Sequence, residues 1–225
     1  MKASLPRRLA AEALGTTLLL AMIIGSGIMG ERLAGGNAAI TLLANSFATG
    51  CGLAVLILVL GPVSGAHFNP VVSLVATLDR ELPRRDLAPY VAVQIVAAFV
   101  GVTVAHFMFA DPLFSASVKV RAGPAQWFSE AVATFGLLVV ILGCTRQKIA
   151  ATPYAVAAYI TAAYWFTAST SFANPAVTLA RSASNTFAGI RPDDVAAFVL
   201  AQLVGALAAM GAMRWLLPRS DARAT

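Results

Sequence analysis

The sequence predicts an all-α membrane protein: six transmembrane helices and two re-entrant half-helices, related as an inverted repeat. Three observations carry that reading. The 225-residue chain is 59% apolar and only 12% charged, where a soluble domain carries roughly 25% charge. Its apolar residues gather into six runs, each near the roughly 20 residues that a helix needs to cross a bilayer core. Three polar landmarks, a glutamate, an Asn-Pro pair and a glutamine, occur twice in the same order. Six crossings use up the chain, which is therefore read as one transmembrane domain over residues 1–225, with no room for a catalytic domain and no enzymatic role.

The runs fall at about 9 to 30, 38 to 60, 87 to 109, 126 to 145, 151 to 168 and 193 to 217. The first stands behind Lys2, Arg7 and Arg8, as the apolar core of a secretion signal would. It contains Glu12, however, and is echoed by residues 128–138, so it is read as a retained helix. Loop charges then orient the six runs. With both termini and the 79–86 and 146–150 loops on one side, that side holds Lys2, Arg7, Arg8, Arg80, Arg84, Arg85, Arg146, Lys148, Arg214, Arg219 and Arg223. The other side holds Arg32, Lys119, Arg121, Arg181 and Arg191. Eleven against five places both termini in the cytoplasm. The net charge of +6 is thus mainly an orientation signal on a plasma-membrane protein whose partner is the lipid bilayer, with no nucleic acid implied. Cys51 and Cys144 both lie in apolar runs and read as buried thiols, not as a disulfide framework.

The two halves, about 7–109 and 125–217, echo each other. "AAEALGTTLLL" matches "FSEAVATFGLL", "GAHFNPVVSL" matches "SFANPAVTLA", and "YVAVQIVAAFVG" matches "FVLAQLVGALAA". The landmarks are Glu12, Asn69 and Gln94, then Glu130, Asn174 and Gln202. Three crossings per half turn the second copy upside down relative to the first. Each Asn-Pro precedes about ten apolar residues, too few to span. Asn suits a helix N-cap and Pro the first helical position, so Asn69-Pro70-Val71 and Asn174-Pro175-Ala176 are read as the starts of two half-helices that meet near the midplane. Non-helical backbone survives at that depth only where it is buried in protein or faces a water-filled cavity. Residues 61–68 and 169–173, with the carbonyls of Gly65, Ala66, His67, Thr170 and Phe172, are therefore expected to line a pore.

With "SGAHFNP" (64–70) and "ANPA" (173–176) in place, the chain resembles the major intrinsic protein family, the aquaporins and aquaglyceroporins, over residues 7–217. The resemblance implies the aquaporin fold and a homotetramer of independent pores for small neutral solutes. It implies that Asn69 and Asn174 donate to the passing solute, and that Glu12 and Glu130 are structural, accepting hydrogen bonds from the re-entrant segments. It implies no cofactor.

The family's narrowest ring has four positions, which counting from the motifs puts on Thr49, Ala162, Ser171 and Val177. A typical water channel has an aromatic residue first, often His second, and Arg fourth; none stands here. Ordinary glycerol channels keep that Arg, follow it with Asp, and add an aromatic wall; here Thr178 takes the Asp position. A ring of small neutral residues is expected to be wide. It resembles the aquaglyceroporins associated with bacterial arsenic resistance, which would imply arsenite, As(OH)3, and polyol-type solutes, with some water. Water-selective or glycerol-type channels, and a coupled secondary transporter, are the alternatives.

Arg181, seven residues after Asn174 and about 10 Å along the half-helix, reads as a vestibule or surface charge; a sharper alternative has it reach back toward the filter. His67 reads as pore wall and His106 as structural, and the two histidines offer no metal cluster. Cys51, two residues past Thr49, lies either near the solute path or in helix packing. Gly25, Gly27, Gly30, Gly205 and Gly211 read as close helix contacts. Tyr154, Tyr159, Tyr164, Trp127, Trp165 and Trp215 read as core or interfacial-belt residues.

Overall fold

Proline and asparagine set most of the helix starts. In a computed structural model that describes residues 3–218, Pro occupies the first turn of α1 (Leu5–Leu33), α3 (Pro70–Leu78), α5 (Pro124–Arg146), α6 (Thr152–Phe166) and α7 (Pro175–Arg181). There its missing N–H removes nothing from the helix. Asn37 caps α2 (Ala38–Ser64) by accepting from the Ala39 and Ile40 N–H groups. The remaining helices are α4 (Arg84–Phe109) and α8 (Val195–Leu216), the latter entered through a single 3-10 turn, Pro192–Asp194. Lys2, Arg219 and Arg223 of the orientation argument lie outside the described residues.

Helices α1, α2, α4, α5 and α8 are long and apolar enough to cross a membrane. Helix α6 is the exception to six equal spans: its 15 residues rise about 22 Å. The apolar run continues to 168, but the chain leaves the helix at Thr167 in an extended conformation and turns inward as the second re-entrant segment. The outer faces carry Val55, Phe107, Phe128 and Val204 exposed, a surface suited to lipid rather than water.

Within the first half α1 packs on α2 and α4, and within the second α5 packs on α6 and α8. Helices α2 and α6 join the halves, while each half-helix crosses over: α3 touches α8 as well as α4, and α7 touches α4 as well as α8. The two half-helices also touch each other. On the face that carries both chain ends, Asp79 at the end of α3 pairs with Arg146 of α5 at 2.7 Å and Arg214 of α8 at 2.9 Å, and Arg8 of α1 pairs with Asp86 of α4 at 2.7 Å. The C-terminal end of α3 is thereby pinned to two helices of the other half, α5 and α8.

Small residues let the long helices meet backbone to backbone. A Cβ added at Gly101 would stand 2.4 Å from the Thr17 carbonyl oxygen, and one at Gly205 would stand 2.2 Å from the Ala131 carbonyl oxygen. Gly25 and Gly30 are also tightly met, by Phe109 and Thr41, and Gly27 is in ordinary contact with Ala188. Gly211 is not a contact: a Cβ there meets nothing within 4 Å. Gly101→Ala and Gly205→Ala should each lower stability by about 1–3 kcal/mol through overpacking, read as a lower thermal unfolding midpoint in detergent. Gly211→Ala should leave the midpoint unchanged or raise it, because Ala meets no neighbour there and suits a helix interior better than Gly by up to about 1 kcal/mol.

Candidate functional site

Asn69 and Asn174 are extended residues (φ −154° and −158°) that cap α3 and α7. The Asn69 Oδ1 accepts from the Val71 N–H at 3.0 Å; the Asn174 Oδ1 accepts from Ala176 at 3.0 Å and Val177 at 3.3 Å. Their amide nitrogens then cross between the halves. Asn69 Nδ2 donates to the Ala173 carbonyl and Asn174 Nδ2 to the Phe68 carbonyl, both at 2.8 Å. Each amide group has two N–H donors. One is spent on this brace, so one remains on each Asn, and both residues line the central cavity.

The backbone just before each Asn is left-handed at matching places. Gly65, Ala66 and Phe68 have φ of 94°, 49° and 49°; Thr170, Ser171 and Ala173 have 61°, 50° and 49°. For residues with a Cβ, such a conformation costs roughly 1–2 kcal/mol each. Sequence reasoning missed it, since the second segment has no glycine to signal it. Two buried glutamates hold the shape. Glu12 accepts from the N–H groups of His67 (3.0 Å) and Phe68 (2.7 Å), from Ser64 Oγ and from Gln94 Nε2. Glu130 accepts from Phe172 (2.8 Å), Ala173 (2.9 Å) and Gln202 Nε2. Both glutamates are fully buried. Each glutamine makes a second bond into its half-helix, Gln94 to Ser73 Oγ and Gln202 to Thr178 Oγ1. Ser64 and Ser169 support their own loops, accepting from the N–H groups of Ala66 and Ser171.

The cavity between these elements has a volume of about 480 Å³ and runs from Glu81 and Thr145 on the chain-end face to Tyr164 and Arg181 toward the other. Its lining combines apolar side chains, Leu19, Ile57, Leu138 and Ile160 among them, with the two re-entrant segments. Of the residues whose carbonyls are expected to line a pore, Gly65, Ala66, His67 and Phe172 border this cavity and Thr170 does not. Thr170 instead places its hydroxyl oxygen 3.4 Å from Arg121. His67 is held by Ser73 Oγ at 3.0 Å.

Thr49, Ser171 and Val177 line the cavity together. Ala162 does not, and its assignment to the ring is corrected: it is exposed on the outside of α6. Because α6 ends at Phe166 and extended chain follows, a register counted from the motifs falls two residues short. Tyr164, read above as core or belt, is the inward residue; it is 2% exposed and its hydroxyl donates to Thr49 Oγ1 at 3.4 Å. The cavity therefore has an aromatic residue that the ring was expected to lack. Tyr154, Trp165 and Trp215 are exposed on the outer surface, where belt residues stand.

Arg181 is not a surface charge. It is 1% exposed, lines the cavity, and lays its guanidinium 3.3 Å from the Phe172 ring centroid, while its Nε donates to the Ala188 carbonyl. Arg121 approaches the same ring at 4.8 Å and donates to the Gly189 and Ser169 carbonyls at 2.9 Å. Burial pushes Arg121 down to about 10, and burial with Arg121 and Arg181 nearby pushes Lys119 down to about 8. Cys51 is exposed, on the outer side of α2, and Cys144 is half-buried, so neither is the buried thiol expected and Cys51 is away from the cavity. His106 is fully buried against Ser184 Oγ at 2.9 Å. Among the described residues no cluster of His, Cys, Asp or Glu could hold a metal.

Comparison with known proteins places this geometry in context. The family model described as "Major intrinsic protein" matches residues 1–158. The chain is 58% identical over 213 residues to aquaglyceroporin AqpS of Rhizobium meliloti (strain 1021), covering 95% of this chain and 91% of that one. It is 31% identical over 158 residues to a probable glycerol uptake facilitator protein of Thermotoga maritima, covering 62% of this chain and 65% of that one. In fold it matches the X-ray structure of the aquaglyceroporin from Plasmodium falciparum with a TM-score of 0.70 at 22% identity, over 96% of this chain and 98% of that chain.

Two measurements test the site's physics. Glu130→Gln turns one acceptor into a donor that faces backbone N–H groups, and should lower stability by about 1–3 kcal/mol for the orphaned group, seen as a reduced thermal midpoint. Lys119 has its pKa lowered from 10.5 to about 8, so its charge opposes folding below pH 8. That opposition fades as pH rises toward 10.5, and stability rises over the same window. In Lys119→Met the rise in midpoint between about pH 8 and 10 should shrink; an unchanged slope contradicts the assignment.

Proposed function

The chain belongs to the major intrinsic protein family of membrane channels, and from that premise we propose that its cavity is a passive path for small uncharged hydroxylated solutes. The observation that carries this is the mixed lining of the cavity. Apolar side chains of Leu19, Ile57, Leu138 and Ile160 line it together with the re-entrant segments and the two Asn residues, which we read as a greasy wall opposite a ladder of carbonyls and amides. A solute with a carbon or metalloid centre and hydroxyls along one edge can slide with its apolar side on one wall. Its hydroxyls then trade hydrogen bonds along the other. The relatives named aquaglyceroporin and probable glycerol uptake facilitator support the same solute class, with glycerol as its model.

Charge selection follows from the half-helices. Both N-termini meet at the cavity, each with a positive end on the order of half a unit charge, which opposes cations and protons. Glu12 and Glu130, the carboxyls that a coupled transporter would need to titrate, are instead committed to backbone and glutamine donors. Uncharged arsenous acid, As(OH)3, is about the size of glycerol and carries three hydroxyls. It fits the neutral surface of Thr49, Ser171 and Val177, and we take it with polyols and some water as the finer substrate set. We also place the protein in the plasma membrane as a homotetramer with both termini cytoplasmic; the orientation is supported by the excess of Lys and Arg on the chain-end face.

Stopped-flow light scattering on proteoliposomes with water, glycerol and arsenous acid tests the proposal. Wild-type protein should raise the flux of all three. Val177→Arg should depress glycerol and arsenous acid more than water, because it narrows the surface that Val177 leaves open. Equal effects on all three, or none, would remove Val177 from the path.

A further inference from the structure

Building on the channel reading above, we propose that Arg181 is a specificity-determining residue of this path, a solute-facing cation displaced by one helical turn from the position where Val177 stands. Arg181 follows Val177 by four residues on α7, so the two share a face. Long side chains on a helix lean back toward its N-terminus, which carries the guanidinium over the Val177 turn. Both residues line the cavity together with Tyr164 and Thr49.

The partners of the guanidinium decide its role. An arginine has five N–H donors and no acceptor. In Arg181 the Nε donates to the Ala188 carbonyl and the flat face lies on Phe172. The two terminal amino groups meet no protein acceptor among the described residues, and Arg181 forms no ion pair there. Glu130 is already occupied by Phe172, Ala173 and Gln202. Arg121, the other guanidinium on Phe172, gives a contrast: it donates to two carbonyls and does not line the cavity. A buried charge without a counter-ion needs polar partners, and for Arg181 the cavity is where they can be. Its donors therefore meet water and solute oxygens, and its charge adds to the positive half-helix ends against cations.

The presence of the charge in the path, as distinct from the contacts Arg181 makes with the loop, is what the test must read. Arg181→Gln keeps a donor for the Ala188 carbonyl and removes the charge; Arg181→Met removes both. Arg181→Lys keeps the charge, and Val177→Arg with Arg181→Met moves it one turn inward. Proton leak is followed with a pH dye in vesicles under a valinomycin-clamped potassium potential, beside glycerol flux in the same preparation. Arg181→Gln and Arg181→Met should raise proton leak about tenfold or more, equivalent to about 1.4 kcal/mol of barrier. Arg181→Lys and the double variant should return the leak to near the wild-type level. A leak unchanged in the uncharged variants overturns the proposal. So does a leak that neither charged variant repairs, because that marks Arg181 as a loop anchor. Each variant is read only where its thermal midpoint stays near wild type, and either uncharged variant suffices. Wild-type vesicles that pass no glycerol overturn the channel reading itself, a result separate from the arginine's.

Discussion

Two buried glutamates, Glu12 and Glu130, fix the backbone on which the rest of the structure depends. Each accepts the N–H groups of the two residues before an Asn-Pro motif, His67 and Phe68 in one half, Phe172 and Ala173 in the other. Without those acceptors the donors would be stranded inside a membrane, at about 1–3 kcal/mol each. The left-handed residues Ala66, Phe68, Ser171 and Ala173 would have no reason to hold a conformation that other residues avoid. With them, the carbonyls on the far side of the same peptides turn toward the cavity, and α3 and α7 begin deep in the protein. Gln94 and Gln202 tie each glutamate to a hydroxyl of its half-helix, Ser73 and Thr178, so the helix start and the strained loop are positioned by one network.

The inverted repeat turns this local device into a through-path. Each Asn donates to the carbonyl just before the other Asn, so neither half completes its site alone. The half-helices also pack on the long helices of the opposite half, and Asp79 locks the end of α3 to Arg146 and Arg214. What remains between the halves is a cavity lined by both greasy side chains and the fixed dipoles of the re-entrant segments. That arrangement favours uncharged molecules that can exchange hydrogen bonds with it, and the two glutamates at its centre, Glu12 and Glu130, are spent on backbone and glutamine donors.

Residue type and order made part of this legible in the sequence. Glu12, Asn69 and Gln94 recur as Glu130, Asn174 and Gln202, and a polar residue in an apolar run needs partners, so their association could be anticipated. Three features could not. The left-handed turn of Thr170, Ser171 and Ala173 carries no glycine, because tertiary hydrogen bonds rather than local preference impose it. The place of Tyr164, and the loss of Ala162 from the ring, depend on where α6 stops; an apolar run to residue 168 hides the change to extended chain at Thr167. Arg181 showed its helix face in its spacing but not its burial, which comes from Phe172 and the loop carbonyl of Ala188, residues brought to it by the fold. Cys51 failed for the same reason in reverse: an apolar run on a membrane helix has an outside, and Cys51 is on it.

On the proposed function, solute moves through this cavity without coupling to an ion gradient. The most direct measurement follows radiolabelled glycerol into proteoliposomes with and without imposed proton and sodium gradients. Passive movement gives the same initial rates in all conditions and a final internal concentration equal to the external one. Accumulation above the external concentration, driven by either gradient, would contradict it.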